Sequence, residues 1–464
     1  MLSPEKFAQL QSFLGRLPVA IAARLARAVE RDRFAGGVLL PHQAILDALR
    51  PVLAREPRVE RIPVSQRLFC RPFEDLLVET VPRQKQKGRI ARASVAPVWN
   101  WLRTTLLPDA AAKFNDATRV LALADRADDA RRQALAFWPP AAAAIQNAIA
   151  TDRKAARTAL GSDLVLADAQ EMVLLLAAGH EIAEVQDLLV LPTPHLGEEL
   201  LRALREIEER LAQRLPDSAP YVAVVAMRRL AHPWEALKLP QLIAHQTQDT
   251  LISNTDMGLV GDLLFADIET HASAISAVRH PAFDADALIE RLRRFAGLSG
   301  GLVNEIDIRR DGKWGKCLLA DRATVATTLE GLMERAPKEV LAMLPVQARG
   351  SFGGGPRVAD FARAVSDEKA ERGLRYGRLV AGSAPLAANA AFGAAQTRAM
   401  EEISRHLIGY NEDLVREMRS AGGPHRAVVE RQFELAAELT ALIFSPEEAE
   451  FLRRRGRAAL ANAA

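Results

Sequence analysis

Two stretches of this 464-residue chain are dense enough in polar side chains to suggest chemistry. The first is Arg83-Gln84-Lys85-Gln86-Lys87-Gly88-Arg89-Ile90-Ala91-Arg92, with five basic residues and no acid, followed by Trp99-Asn100-Trp101. Lysine and arginine neutralise phosphates and release counterions, and indoles stack on unpaired bases. Arg83, Lys85, Lys87, Arg89, Arg92, Trp99 and Trp101 are therefore the candidate contacts for a nucleic acid or another anionic surface. A plainer reading sets against this a solvated basic loop beside two core tryptophans, because Val98, Leu102 and Leu106 flank the indoles.

The second stretch holds His245, Asp249, Asp256, Asp262, Asp267, Glu269 and His271. On a helix Asp267 and His271, four residues apart, share a face, and a divalent ion accepts such oxygen and imidazole ligands. They are the candidate metal ligands of a metal-dependent enzyme. The spacing matches no zinc-protease pattern, and an Asp–His pair four apart is more often a surface ion pair.

Other motifs point away from chemistry. Gly350, Gly353, Gly354 and Gly355 lack the Lys-Ser/Thr of a phosphate loop and the strand–helix setting of a dinucleotide fold, so 349–356 reads as a linker or hinge. Cys70 and Cys317 form no CxxC and no Cys/His cluster, which predicts two buried free thiols and no structural zinc. Arg453, Arg454, Arg455 and Arg457 follow Glu447, Glu448 and Glu450, a distribution that complements a helix dipole without any partner. No cofactor is expected.

The elements that must position these residues read as helices. Alanine and leucine dominate the apolar 49% while aromatics make up 5%, and both are strong helix formers. Sixty-one basic residues against 58 acidic ones give a net charge of +3, too balanced to imply a polyanion partner. Only between residues 55 and 92 do ten basic residues outnumber five acidic ones. That segment is also rich in proline, which excludes one long helix.

Further along, Leu200, Leu201, Leu204, Ile207, Leu211 and Leu215 mark an amphipathic helix. Asp284 or Asp286 caps a helix that Gly297 closes, and Ser445 with Glu448 forms a capping box. Asp311-Gly312 between alternating residues predicts a β-hairpin at 305–319. Met400, Ile403, Leu407, Tyr410, Leu414 and Met418 recur every three or four residues along a helix of about 386–420 and form a narrow seam. A glycine-rich turn then predicts a long C-terminal helical hairpin.

The expected fold is all-α and multi-unit, with regions 1–110, 111–216, 221–348 and 357–464, the minor hairpin and the C-terminal helical hairpin. No segment has the length or the apolar character of a signal peptide or a membrane span, and the composition suits a bacterial cytoplasmic protein. The leading functional expectation is a non-enzymatic adaptor, scaffold or regulatory binding protein. The 400–418 seam would take a partner helix or a second copy, and nucleic acid is the alternative partner.

Overall fold

In the computed structural model, the described residues are all but 1–3, 35–38, 55–61, 81–83, 245–257, 349–356, 361, 420–422 and 462–464. The chain forms two compact units, Met1–Leu239 and Pro240–Ala464. Both are helical, and the fold is all-α. No helix among the described residues is long and apolar enough to cross a membrane.

The first unit opens with α1 (Pro4–Leu14), α2 (Val19–Phe34) and α3 (His42–Leu53), closed over a small core of Leu14, Ala22, Ala48, Leu49 and Val52. Next come α4 (Val64–Cys70), a 3-10 turn at Arg71–Leu76, and two two-residue strands, β1 (Leu77–Val78) and β2 (Ile90–Ala91), paired in parallel. The helices α5 (Arg92–Trp101), α6 (Pro108–Leu123), α7 (Ala127–Thr151), α8 (Arg153–Leu160) and α9 (Asp163–Ala177) follow. Completing the unit are α10 (Gly179–Leu188), α11 (Glu198–Arg214) and α12 (Pro220–Arg229), while α13 (Lys238–Ala244) carries the chain across the unit boundary. The leucine face expected on α11 is present, with Leu204, Ile207 and Leu211 buried. The expected breaks near 110 and 216 fall inside this unit.

In the second unit α14 (Gly258–Ser276) packs on both α15 (Ala285–Glu305) and α16 (Lys313–Leu341). Strands β3 (Val346–Ala348) and β4 (Arg357–Ala359) pair antiparallel, and α17 (Asp367–Ser383), α18 (Gly393–Glu417), α19 (Gly423–Ile443) and α20 (Pro446–Ala461) complete it. The glycine-rich 349–356 lies outside the described residues. Its two flanks pair as strands of one unit, so it does not separate domains. Asp284 caps α15 by accepting from the Asp286 and Ala287 amides, but the helix runs through Gly297 to Glu305. The Ser445 hydroxyl accepts from the Glu448 amide at 3.2 Å, as a capping box requires.

The hairpin expected at 305–319 is absent, and α16 begins at Lys313. Gly312 sits before the first helical residue with φ −70°, so the positive φ that makes Asp-Gly a hairpin signal is not used. Packing decides the outcome. Trp314 and Leu318, one helical turn apart, are both buried, and the Trp314 indole donates to Asp262 Oδ1 at 2.9 Å. Gly315 lets the Arg309 carbonyl approach to where its Cβ would lie, at 2.1 Å. The thiols also differ from expectation: Cys317 is exposed, while Cys70 is half-buried, and burial pushes its thiol up to about 12.

A methyl on Gly261 would lie 2.2 Å from the Trp314 ring. Gly261→Ala should therefore destabilise the protein by about 1–3 kcal/mol through overpacking. Gly331, in the interior of α16 with open space at its Cβ position, is the matched control. Gly331→Ala should stabilise by about 0.5–1 kcal/mol through lost backbone entropy. Urea unfolding followed by tryptophan fluorescence measures both, and equal midpoints for the two variants would contradict the packing.

Candidate functional site: two pockets around one short helix

The basic segment 84–92 is anchored to the unit through Lys85, while Lys87 and Arg92 stay exposed. Its anchor is a pair of carboxylates one turn apart on α9, Asp168 and Glu171, which are 1% and 5% exposed. Lys85 Nζ lies 2.5 Å from Asp168 Oδ1, pairs with Glu171, and donates to the Arg89 carbonyl at 2.6 Å. The Ala91 amide and the Ser94 hydroxyl donate to Asp168 at 3.1 and 2.6 Å. Glu171 accepts from the Gly88 amide at 2.5 Å and from the buried Tyr221 hydroxyl at 2.6 Å. A buried carboxylate is tolerated only when it is paired and hydrogen-bonded, and each of these two is.

The nominated contacts are therefore dispersed. Lys85 is engaged inside, Lys87 lies over the Tyr221 ring at 5.9 Å, and Arg92 pairs with Glu79 at 2.5 Å. Arg89 is partly buried beside them, and Arg83 lies outside the described residues. Trp99 and Trp101 are core residues, 5% and 9% exposed. Trp99 sits among Phe69, Phe114 and Phe137, with ring centroids 5.0 to 6.5 Å away. Neither indole face is open for a base to stack on.

Two pockets flank α4 instead. On one face is an open cleft of about 560 Å³ lined by Arg67, Arg71, Arg126 and Arg131 together with Glu74, Asp125 and Asp128, and Arg126 pairs with Asp129. Arg71 and Arg131 converge on one carboxylate, Asp187, with Arg71 3.1 Å from it. Burial first, and the neighbouring Arg131 guanidinium next, hold Arg71 below its ordinary value. Behind them Gln186 donates to the Arg71 carbonyl at 2.8 Å and to Asp75 at 2.9 Å, and Arg229 closes on Asp75 at 3.0 Å. Arg67 has no ion-pair partner among the described residues.

On the other face of α4 is a pocket of about 470 Å³ lined by Ser65, Gln66, Trp99, Asn100, Arg103 and Asn115, with prolines and alanines around them. Trp99, 5% exposed, contributes to its apolar lining. A π-turn at Leu102–Leu106, closed by the Leu107 amide on the Leu102 carbonyl at 2.8 Å, ends α5 beside it. Sequence reasoning missed both pockets. Arg67 lies on α4, Arg71 in the 3-10 turn, Arg131 on α7 and Arg126 just before α7, and only the fold brings them together.

The second unit handles the remaining nominated residues as follows. Asp267 and His271 share a face of α14, but among the described residues no group of three His, Cys, Asp or Glu side chains is placed to hold a metal. Asp262 is engaged by Trp314 and Lys313, Glu269 is exposed, and His245, Asp249 and Asp256 lie outside the described residues. The seam on α18 requires a correction. Ile403, Leu407, Tyr410, Leu414 and Met418 are buried and Met400 half-buried within this unit, where α18 packs on α16 and α19. The periodicity marks an internal core face, already covered by its own unit. In the C-terminal basic cluster, Arg453 and Arg457 pair with Glu434 and Glu450. Comparison of the chain with protein families, with curated proteins and with solved structures found no match.

Two outcomes follow from this geometry. Lys85→Met leaves two buried carboxylates without their cation and should cost about 3–5 kcal/mol. Adding Asp168→Asn and Glu171→Gln should restore part of that loss, read from urea midpoints. If Lys85→Met alone costs less than about 0.5 kcal/mol, as a surface pair would, the ionic anchor is not structural. Burial, ahead of the opposing pull of Asp267, holds His271 below its ordinary 6.5. The unfolded chain then binds the proton more tightly, so stability is lost as pH falls through about 6.5 towards the folded value. His271→Gln should flatten the unfolding midpoint between about pH 7 and pH 5, and an unchanged slope would contradict it.

Proposed function

We propose that this chain is a non-enzymatic binding protein, an adaptor or regulatory partner whose first unit captures an acidic segment of another protein in the arginine cleft beside α4. The observation that carries this reading is the convergence of Arg67, Arg71, Arg126 and Arg131 on one open cleft, two of them crowded onto the single carboxylate of Asp187. Crowded guanidiniums repel each other, and an entering anion relieves that repulsion. Arginine also grips carboxylates with two parallel hydrogen bonds, so acidic side chains are well matched to this surface.

The open form of the cleft favours a side chain offered from a partner's surface over a small molecule that must be enclosed. Glu74, Asp125 and Asp128 also line the cleft, so an acidic side chain is accepted only where it meets the arginines and not these acids. For nucleic acid the support is weaker: both nominated indoles are packed in the core and Lys85 is paired inside.

The test is affinity capture from extracts of the protein's own cells, with the full chain and with Arg67→Glu/Arg126→Glu. Both arginines are exposed, so the double variant should fold, and its far-UV spectrum checks this. A stoichiometric acidic protein should be retained by the natural chain, weaken as salt is raised, and fall by about tenfold or more in affinity with the variant. Retention that the double variant leaves unchanged would overturn the reading. So would a captured species that nuclease removes.

A further inference from the structure

We infer that the pocket on the opposite face of α4 is a binding site for a small organic acid, a carboxylate carried on a flat apolar body. Ser65 Oγ donates to Asn115 Oδ1 at 2.8 Å, and Arg103 Nε donates to Asn100 Oδ1 at 2.9 Å. Each asparagine thus has its acceptor engaged within the protein and its NH2 group left for whatever enters. Arg103 keeps its two terminal nitrogens, and the remaining polar liner, Gln66, is neutral. Among the described residues no carboxylate lines this pocket. It is rich in donors, poor in acceptors, and carries one positive charge.

That inventory selects the ligand. An acceptor-rich group is needed, and one guanidinium balances a monoanion better than a dianion. Because Arg103 Nε is already committed to Asn100, a carboxylate is met end-on by the two terminal nitrogens, with the asparagine NH2 groups beside it. Trp99, with Pro63, Pro108 and Ala111, offers the apolar wall against which a flat body packs. A volume of about 470 Å³ admits a small molecule of that size. The site is separate from the arginine cleft and does not rest on the reading proposed for it.

The experiment is calorimetry and ligand-observed NMR on the full chain with phenylacetate, its neutral counterpart phenylacetamide, phenyl phosphate, and N-acetylphenylalanine as a mimic of a peptide C-terminus. Phenylacetate should bind, and phenylacetamide should bind about tenfold or more weaker because the charge-assisted bonds are lost. Phenyl phosphate should not exceed phenylacetate. N-acetylphenylalanine binding more tightly than phenylacetate would identify a peptide C-terminus as the natural source of the carboxylate. Weaker binding would identify a free acid. Arg103→Gln, at an exposed position, should reduce phenylacetate affinity by about tenfold. Asn115→Asp keeps the acceptor for Ser65 but replaces the donor with a negative charge, and should abolish binding. No binding at millimolar phenylacetate, equal affinity for the amide, or indifference to both substitutions would each overturn the assignment.

Discussion

The first unit is organised by two carboxylates that cannot be left alone. Asp168 and Glu171 stand one turn apart on the buried face of α9, where an uncompensated charge costs several kilocalories. The protein answers them with an ammonium, two backbone amides and two hydroxyls, and four of those five groups come from 85–94. This fixes how the chain must run. With Gly88, Ala91 and Ser94 tied to α9, β2 pairs with β1 and α5 starts at Arg92. Helix α5 then delivers Trp99 into the aromatic cluster and Asn100 to a pocket, and the π-turn that follows brings Arg103 to the same pocket. A cation that reads in sequence as a ligand for phosphate is thus a structural counter-ion, and the pocket owes its position to it.

The same logic separates the basic residues into two populations. Lys85 and Arg229 face buried carboxylates and are held by them. Arg67 and the terminal nitrogens of Arg103 line concavities without a buried counter-ion, and Arg126 lines the same cleft as Arg67 while pairing with Asp129. Arg71 and Arg131 stand between, sharing Asp187 while lining a cleft. Residues of the first kind specify the fold. The latter two kinds leave charge available to a partner, so the binding surface lies outside the densest basic run.

This division explains what the sequence could and could not show. Helical class, the α11 face, the Asp284 cap and the Ser445 capping box are local properties, set by side-chain entropy and by hydrogen bonds spanning three or four residues, and they were readable. The 305–319 hairpin failed because Asp-Gly is a local signal that long-range packing overrode: Trp314 and Leu318 found a buried site on a helical repeat. The seam at 400–418 is periodic, but periodicity does not say whether the covering surface belongs to the same chain. The pockets were invisible for a third reason. Ser65, Asn100 and Asn115 are unremarkable residues whose significance lies in which oxygen each amide has already committed.

Helix α4 is the wall common to both pockets, which raises the question of whether an occupant of one alters the other. Coupling between sites requires an element with two arrangements that each ligand favours differently. Helix α4 has little freedom of that kind. Phe69 is fully buried against Phe73 and Trp99, and the Leu68 carbonyl accepts from the Trp138 indole at 3.0 Å. Moving the helix would break an aromatic cluster and strand an indole N–H in the core, each at a cost comparable with the binding energy of a small ligand. The side chains of Arg67 and Gln66 can reorient, but they do so on opposite faces without moving the backbone between them. The physical expectation is two sites that share a wall and titrate independently, with α4 acting as a rigid partition between them.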